Sequence, residues 1–386
     1  MAQQSNLEPS DSLKTLYLMT FGVMRLRLVK AILIIIFIFH STIGVIQIIE
    51  LLVTFDGNQL LQYGPFFLVS CSCLVTISSV FTAEKILTKL FIKLAVVRFW
   101  TLTRFPPEIS KKIAFESKIV TGASIIALTV MFLFSTVNVP FFGDKNVIYG
   151  IMLIQKSFGR TAKLFCFLYY GTLPILAYVA FISGGVLIYT LMHLRFYIFV
   201  INHYLERIVL QYDLVISDSH KLRDEEYQKS IYDQLKICIG RHQFFKKIEK
   251  KLNAKLLPYL LLLLYLGTAA VLSMLFNILV DASKFGYFVA IGGMVVSVIV
   301  PLLLVHVGQC LKDEYEKMFA NTLKFPWIVW NSRNRKILFI FILNLQKSLC
   351  IGQPGLVLCE YSFIPSVLSF VWTFSTFIVQ VASKSR

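Results

Sequence analysis

Apolar runs long enough to cross a lipid bilayer recur along this chain, and no other feature limits its fold so strongly. A bilayer core needs about 20 consecutive apolar residues per helix. Six such runs stand out, at 31–54, 63–83, 119–140, 164–194, 256–280 and 285–308. A further apolar stretch at 338–382 is broken by QKSLCIGQP at 346–354, so 357–382 is expected to be the seventh span. The apolar part of 338–350 is too short to cross and is expected to bury itself in protein. Only 15% of the 386 residues are charged and 57% are hydrophobic, far from the quarter or so of charged residues in soluble domains. The expected fold class is all-α: a seven-transmembrane helical membrane protein.

Charge sets the expected orientation. With seven spans, segments 1–30, 85–118, 195–255 and 309–337 share one side and hold 30 of the 38 Lys and Arg residues, against 7 on the other side. Cytoplasmic loops carry such an excess. The N-terminus is therefore expected in the cytoplasm and the C-terminus outside, opposite to a G-protein-coupled receptor. The net charge of +17 is read as the same bias, and no nucleic-acid partner is expected. The expected layout is a cytosolic segment at 1–30, spans 1–4 over 31–194, cytosolic anchor helices at 195–255, spans 5–6 over 256–308, further anchor helices at 309–350, and the final span with a short extracellular tail at 351–386. No signal peptide is expected, since the first apolar run is too long for one. Seven cysteines, mostly in or near apolar runs, suggest free thiols. No metal spacing, phosphate loop or catalytic cluster appears, so neither an enzyme nor a cofactor is expected.

Between spans 4 and 5 the segment from Gln228 to Leu256 reads as a helix. Ile231, Leu235, Cys238, Phe245, Ile248 and Leu252 form one apolar stripe, with His242 at the missing position. It is expected to run on into span 5. Span 6 likewise continues through CLKDEYEKMFANTLK to Phe325-Pro326, and a new helix is expected from near Trp327. Together these tails should form a helical bundle that makes an oligomer contact.

The last span carries Ser362, Ser366, Ser369, Thr373, Thr376, Gln380 and Ser383 at alternating steps of four and three. That spacing keeps them within about 100° of one helix face, with Ser375 off it. A polar stripe in a membrane helix faces protein or water. Helix packing through small residues and a water-lined pore face both account for it; Gln380, long and near the outer mouth, favours the pore.

The stretch FPWIVWNSRNRKILFIFILNLQKSLCIGQPGLVLCEYSFIPSVLSFVWTFSTFIVQ resembles the C-terminal signature of insect odorant receptors, with its Trp-containing turn, basic residues, apolar helix ending at Gln346 and Ser- and Phe-rich final span. LKICIGRHQFFKKIEKKLNAKLLPYL resembles that family's approach to span 5. The resemblance implies an odorant-gated, non-selective cation channel of four subunits in the plasma membrane of a sensory-neuron dendrite. It places the gate at Phe377 with Gln380 beside it. It implies a ligand-tuning subunit that pairs with a longer coreceptor as a heterotetramer. The sister gustatory family is an alternative, since Thr373-Phe374 and Gln380-Val381 fit its final-span motif in part; a transporter is a further one, but no inverted repeat is visible.

Family pockets lie among spans 2, 3, 4 and 6 in the outer half of the membrane. The candidates there are Phe67, Ser70 and Cys71; Met131, Phe134 and Ser135; Tyr169, Tyr170 and Leu173; and Tyr287, Phe288 and Ile291. Aromatic and aliphatic walls with few hydroxyls suit a small apolar volatile. Two ionisable residues lie near membrane depth: Glu360, expected at an inner vestibule, and His40, expected as a polar packing residue.

Overall fold

The computed structural model describes residues 12–24, 26–54, 64, 67–79, 81, 106–137, 149–213, 221–280, 284–347, 349, 352–353, 356–357 and 360–384. They form ten helices in chain order: α1 (Lys14–Tyr17, continued by a π turn over Leu18–Gly22), α2 (Arg27–Thr54), α3 (Phe67–Ser79), α4 (Pro107–Val137), α5 (Tyr149–Phe158), α6 (Ala162–Asp213), α7 (Glu225–Val280), α8 (Lys284–Leu323), α9 (Ser332–Leu345) and α10 (Phe363–Lys384). Among the described residues five helical stretches are long and apolar enough to cross a membrane, in α2, α4, α5 with α6, α7 and α8, and α3 and α10 supply two shorter apolar ones. These match the seven expected runs. Helices α6, α7 and α8 have 52, 56 and 40 residues, up to more than twice what a bilayer needs. Each contains a proline, Pro174, Pro258 and Pro301, of the kind membrane helices tolerate because neighbouring groups satisfy the freed backbone.

The chain divides into two compact units. The first comprises Met1–Tyr189, Leu256–Leu304 and Ile364–Arg386; the second comprises Thr190–Lys255 and Val305–Phe363. In the first, α1 is an unexpected buried element. Leu13, Leu16, Tyr17, Phe21 and Met24 are buried, and Tyr17 and Phe21 both lie against the Tyr189 ring, at centroid distances of 5.7 and 5.6 Å. The Tyr178 hydroxyl donates to the Met19 carbonyl inside the π turn at 2.6 Å. Helix α5 is also unexpected. Gly159 closes it at φ +48°, the left-handed conformation that glycine adopts without strain after a helix.

In the second unit the α7 stripe is the core. Ile231, Leu235, Cys238, His242, Phe245, Ile248 and Leu252 are all buried, joined by Tyr315 and Met318 of α8 and by Leu338, Phe341 and Leu345 of α9. Gln228 organises the polar part. Its amide donates to the carbonyls of Lys221 and Val329, both at 2.9 Å, and its Oε1 accepts from the Asn331 N–H and the Asn334 amide. Asn331 caps α9 by accepting from the Asn334 N–H at 2.9 Å. The helix therefore starts at Ser332 and not near Trp327, because Trp327–Val329 form a single 3-10 turn after Pro326. One further correction concerns the last span. It begins at Phe363 and not at 357, because Leu356 and Val357 pair antiparallel with Gln353 and Gly352. Pro365 then sits in the first turn of α10, where its missing N–H costs nothing.

Candidate ligand pocket and pore face

The expected pocket residues fall into two places within the first unit. Tyr169 and Tyr170 are buried on α6 in a cluster with Ile43 of α2 and with Ile151 and Ile154 of α5, and Leu173 packs on its edge. Ser70 of α3 shares a hydrogen bond with the Tyr169 side chain. His40 also lies against Tyr169, ring centroids 4.8 Å apart, and its Nε2 is 2.8 Å from the Thr172 hydroxyl. His40 is thus a satisfied packing residue, as its sequence context suggested. The α5 contribution was missed; the apolar pair Ile151 and Ile154, three apart in GIMLIQ, is the sequence signal that marks it.

The second place is around Phe134 of α4. A Cβ built on Gly292 of α8 would lie 2.7 Å from Phe134 Cδ2, and one on Gly293 would lie 2.8 Å from the Sδ and Cε of Met274 of α7. Spans 3, 5 and 6 therefore meet here at glycines that admit a ring and a thioether. Met131 is buried, and the Ser135 hydroxyl donates to the Phe132 carbonyl at 2.7 Å. Phe67, Ser70 and Cys71 are half-buried on α3, and Ile291 is exposed. The side chains of Tyr287 and Phe288 lie outside the described residues.

Helix α10 is half-buried along one line, referred to below as its attached line. Ile364, Val367, Val371 and Ser375 are half-buried, at spacings of three, four and four, while Ser366, Ser369, Thr373, Thr376, Phe377 and Gln380 are exposed. At about 100° per residue the polar stripe is centred roughly 170° round the helix from the attached line. Ser375, the one hydroxyl off the stripe, is on the attached line and donates to the Val371 carbonyl at 2.6 Å. Thr373 and Thr376 donate to the carbonyls of Ser369 and Thr373 at 2.9 and 2.8 Å. Phe377 stands beside the stripe with its ring 6.5 Å from that of Phe374. Glu360 is in direct contact with Lys312, Oε2 to Nζ 2.7 Å.

The family model for the 7tm odorant receptor matches residues 56–359. The chain belongs to the 7tm odorant receptor family. Two solved structures support the family's fold across the chain. The insect olfactory receptor OR5 from Machilis hrabei in complex with eugenol is 12% identical, with a TM-score of 0.66 over 89% of this chain and 88% of that one. A structure of the same receptor described without a ligand is 14% identical, with a TM-score of 0.65 over 92% and 89%. No curated protein matches. The match falls on the odorant side of the two sister families considered from sequence. Members of the odorant receptor family are multi-pass membrane receptors rather than enzymes, and an odorant-binding channel subunit is the function that membership supports.

Proposed function

We propose that this chain is the ligand-tuning subunit of an odorant-gated, non-selective cation channel, assembled with a coreceptor as a heterotetramer in the dendritic plasma membrane of a sensory neuron. The observation that carries the reading is the position of the polar stripe on α10. The stripe lies opposite the half-buried line of the helix, on its exposed side, and a polar row on that side suits the wall of a central pore. In that pore Phe377 forms the narrow constriction and Gln380 borders its outer mouth. The ligand is a small volatile. Its pocket draws on Phe67, Ser70, Cys71, Met131, Phe134, Ser135, Tyr169, Tyr170, Leu173, Tyr287, Phe288 and Ile291; Ser70 and Tyr169 supply the polar handle, and rings and aliphatics supply burial. The second unit serves as the cytosolic anchor between subunits. Phe339, Ile340 and Leu343 of α9 are exposed, on a helix whose Leu338, Phe341 and Leu345 are buried, which gives the anchor an apolar face to share.

The test is voltage clamp of cells co-expressing the chain with a coreceptor, under a panel of esters, alcohols, terpenes and aromatics. Currents to at least one class are expected, and absence of current despite surface expression overturns the channel reading. Phe377→Ala and Gln380→Ala are each expected to change resting leak or ion permeability; if both behave as wild type, the pore face is misassigned.

A further inference from the structure

The two residues that lead into α10 are gripped by α8. His306, Gln309, Lys312 and Asp313 occupy two turns of α8 at spacings of three, three and one, so they share one face. Lys312 Nζ donates to Glu360 Oε2 at 2.7 Å. The Tyr361 hydroxyl and His306 Nδ1 are 2.6 Å apart. The Tyr361 backbone N–H donates to Gln309 Oε1 at 3.1 Å, and the Gln309 amide donates in turn to Asp313 Oδ1 at 2.7 Å. Finally, the Phe363 N–H donates to the Glu360 carbonyl at 3.0 Å, so the first turn of the final helix rests directly on the gripped residues.

An isolated surface ion pair contributes little. This one differs in two respects. Its side chains are 27% and 13% exposed, so solvent screens it only in part. It also acts with two contacts of different chemistry on the adjacent residue, and these fix the backbone as well as the side chains. Glu316, the other carboxylate within reach of Lys312, is at 4.0 Å; Glu360 is the nearer partner.

We infer that Glu360 and Tyr361 are a latch by which α8 fixes the root of the final helix, and that this latch sets the resting conductance of the channel. The inference rests on the pore reading above. A constriction made by converging helices closes only when the root of each is held, so a loosened root leaves a leak. The same helix α8 carries Tyr287, Phe288 and Ile291 near its start.

The experiment compares the full chain, co-expressed with a coreceptor, with Lys312→Glu, Glu360→Lys, the swap of both, and Tyr361→Phe, at matched surface density. Each single variant is expected to raise resting current by about threefold to fivefold, the range that one partly exposed pair supports, and the swap to return it to the wild-type level. Single variants with wild-type current, or a swap as leaky as the singles, overturn the latch. For a variant that fails to reach the surface, melting of the purified chain takes its place: a swap that melts no higher than either single overturns the latch, and a restored melt supports the pair. If the wild type carries no current under any volatile, the pore reading itself falls, and the gating role of the latch with it. That outcome is distinct from a conducting wild type whose variants leave the current unchanged.

Discussion

Single glycines control how closely two of the membrane helices approach. Gly292 has Phe134 against it, and Gly44 of α2 has open space around the position of a Cβ. The same substitution should therefore act in opposite directions. Gly292→Ala forces a ring to shift in a packed interior and is expected to destabilise the protein by about 1–3 kcal/mol. Gly44→Ala removes backbone freedom from a helix interior and is expected to stabilise it by up to about 1 kcal/mol. Thermal melting of the purified chain measures both, and equal effects would contradict the contact at Phe134. At this scale the sequence was legible where chemistry alone decides. His40 was read as a packing residue from its place in an apolar run. The Phe134–Gly292 contact was not legible, because nothing in either residue's neighbourhood names a partner more than 150 positions away.

Among the elements, α7 shows how far periodicity carries. Its apolar stripe implied a buried face, and every residue of that stripe is buried, with His242 in the series. The cost of that burial is electrostatic. Burial beside Phe341 and Tyr315, with the Lys246 cation nearby, pushes the His242 imidazole from its ordinary 6.5 down to about 4. The folded state thus favours neutral His242 more than the unfolded state does. The contribution is fully present above pH 6.5 and is lost as pH falls from there toward 4, with a ceiling of about 3 kcal/mol. Melting of the wild-type chain should fall over that window, and His242→Gln, which keeps a polar group but does not titrate, should flatten the slope. A wild-type melt that does not change between pH 6.5 and 4 contradicts the prediction. Other elements escaped the sequence reading for physical reasons. Helices α1 and α5 are too short for a clear period, and they are held by tertiary contacts to Tyr189 and Tyr169. The start of α10 was placed too early because Leu356 and Val357 are as apolar as the span and differ only in pairing with 352–353.

For the molecule as a whole, the apolar runs gave the seven segments, and hydropathy works so well here because a membrane leaves few backbone solutions. The charge bias makes a separate statement about sidedness. A tag fused to the C-terminus is expected to bind antibody on intact cells, and one at the N-terminus only after permeabilisation. The reverse labelling would overturn the orientation. Less of the candidate site was legible. The α10 stripe could be read as pore or packing from sequence, and its place opposite the half-buried line, which depends on neighbours distant in the chain, is what supports the proposed pore.

The hydroxyls of that stripe have one more consequence. Each has a single hydrogen, and those of Thr373 and Thr376 are spent on carbonyls of their own helix. What they turn outward is lone pairs. In the proposed pore an approaching ion meets partial negative charge from groups that carry no formal charge. Hydroxyls held in this way can replace part of a cation's hydration in the proposed pore. A conduction path for cations can thus arise from backbone-tethered hydroxyls, without a ring of carboxylates.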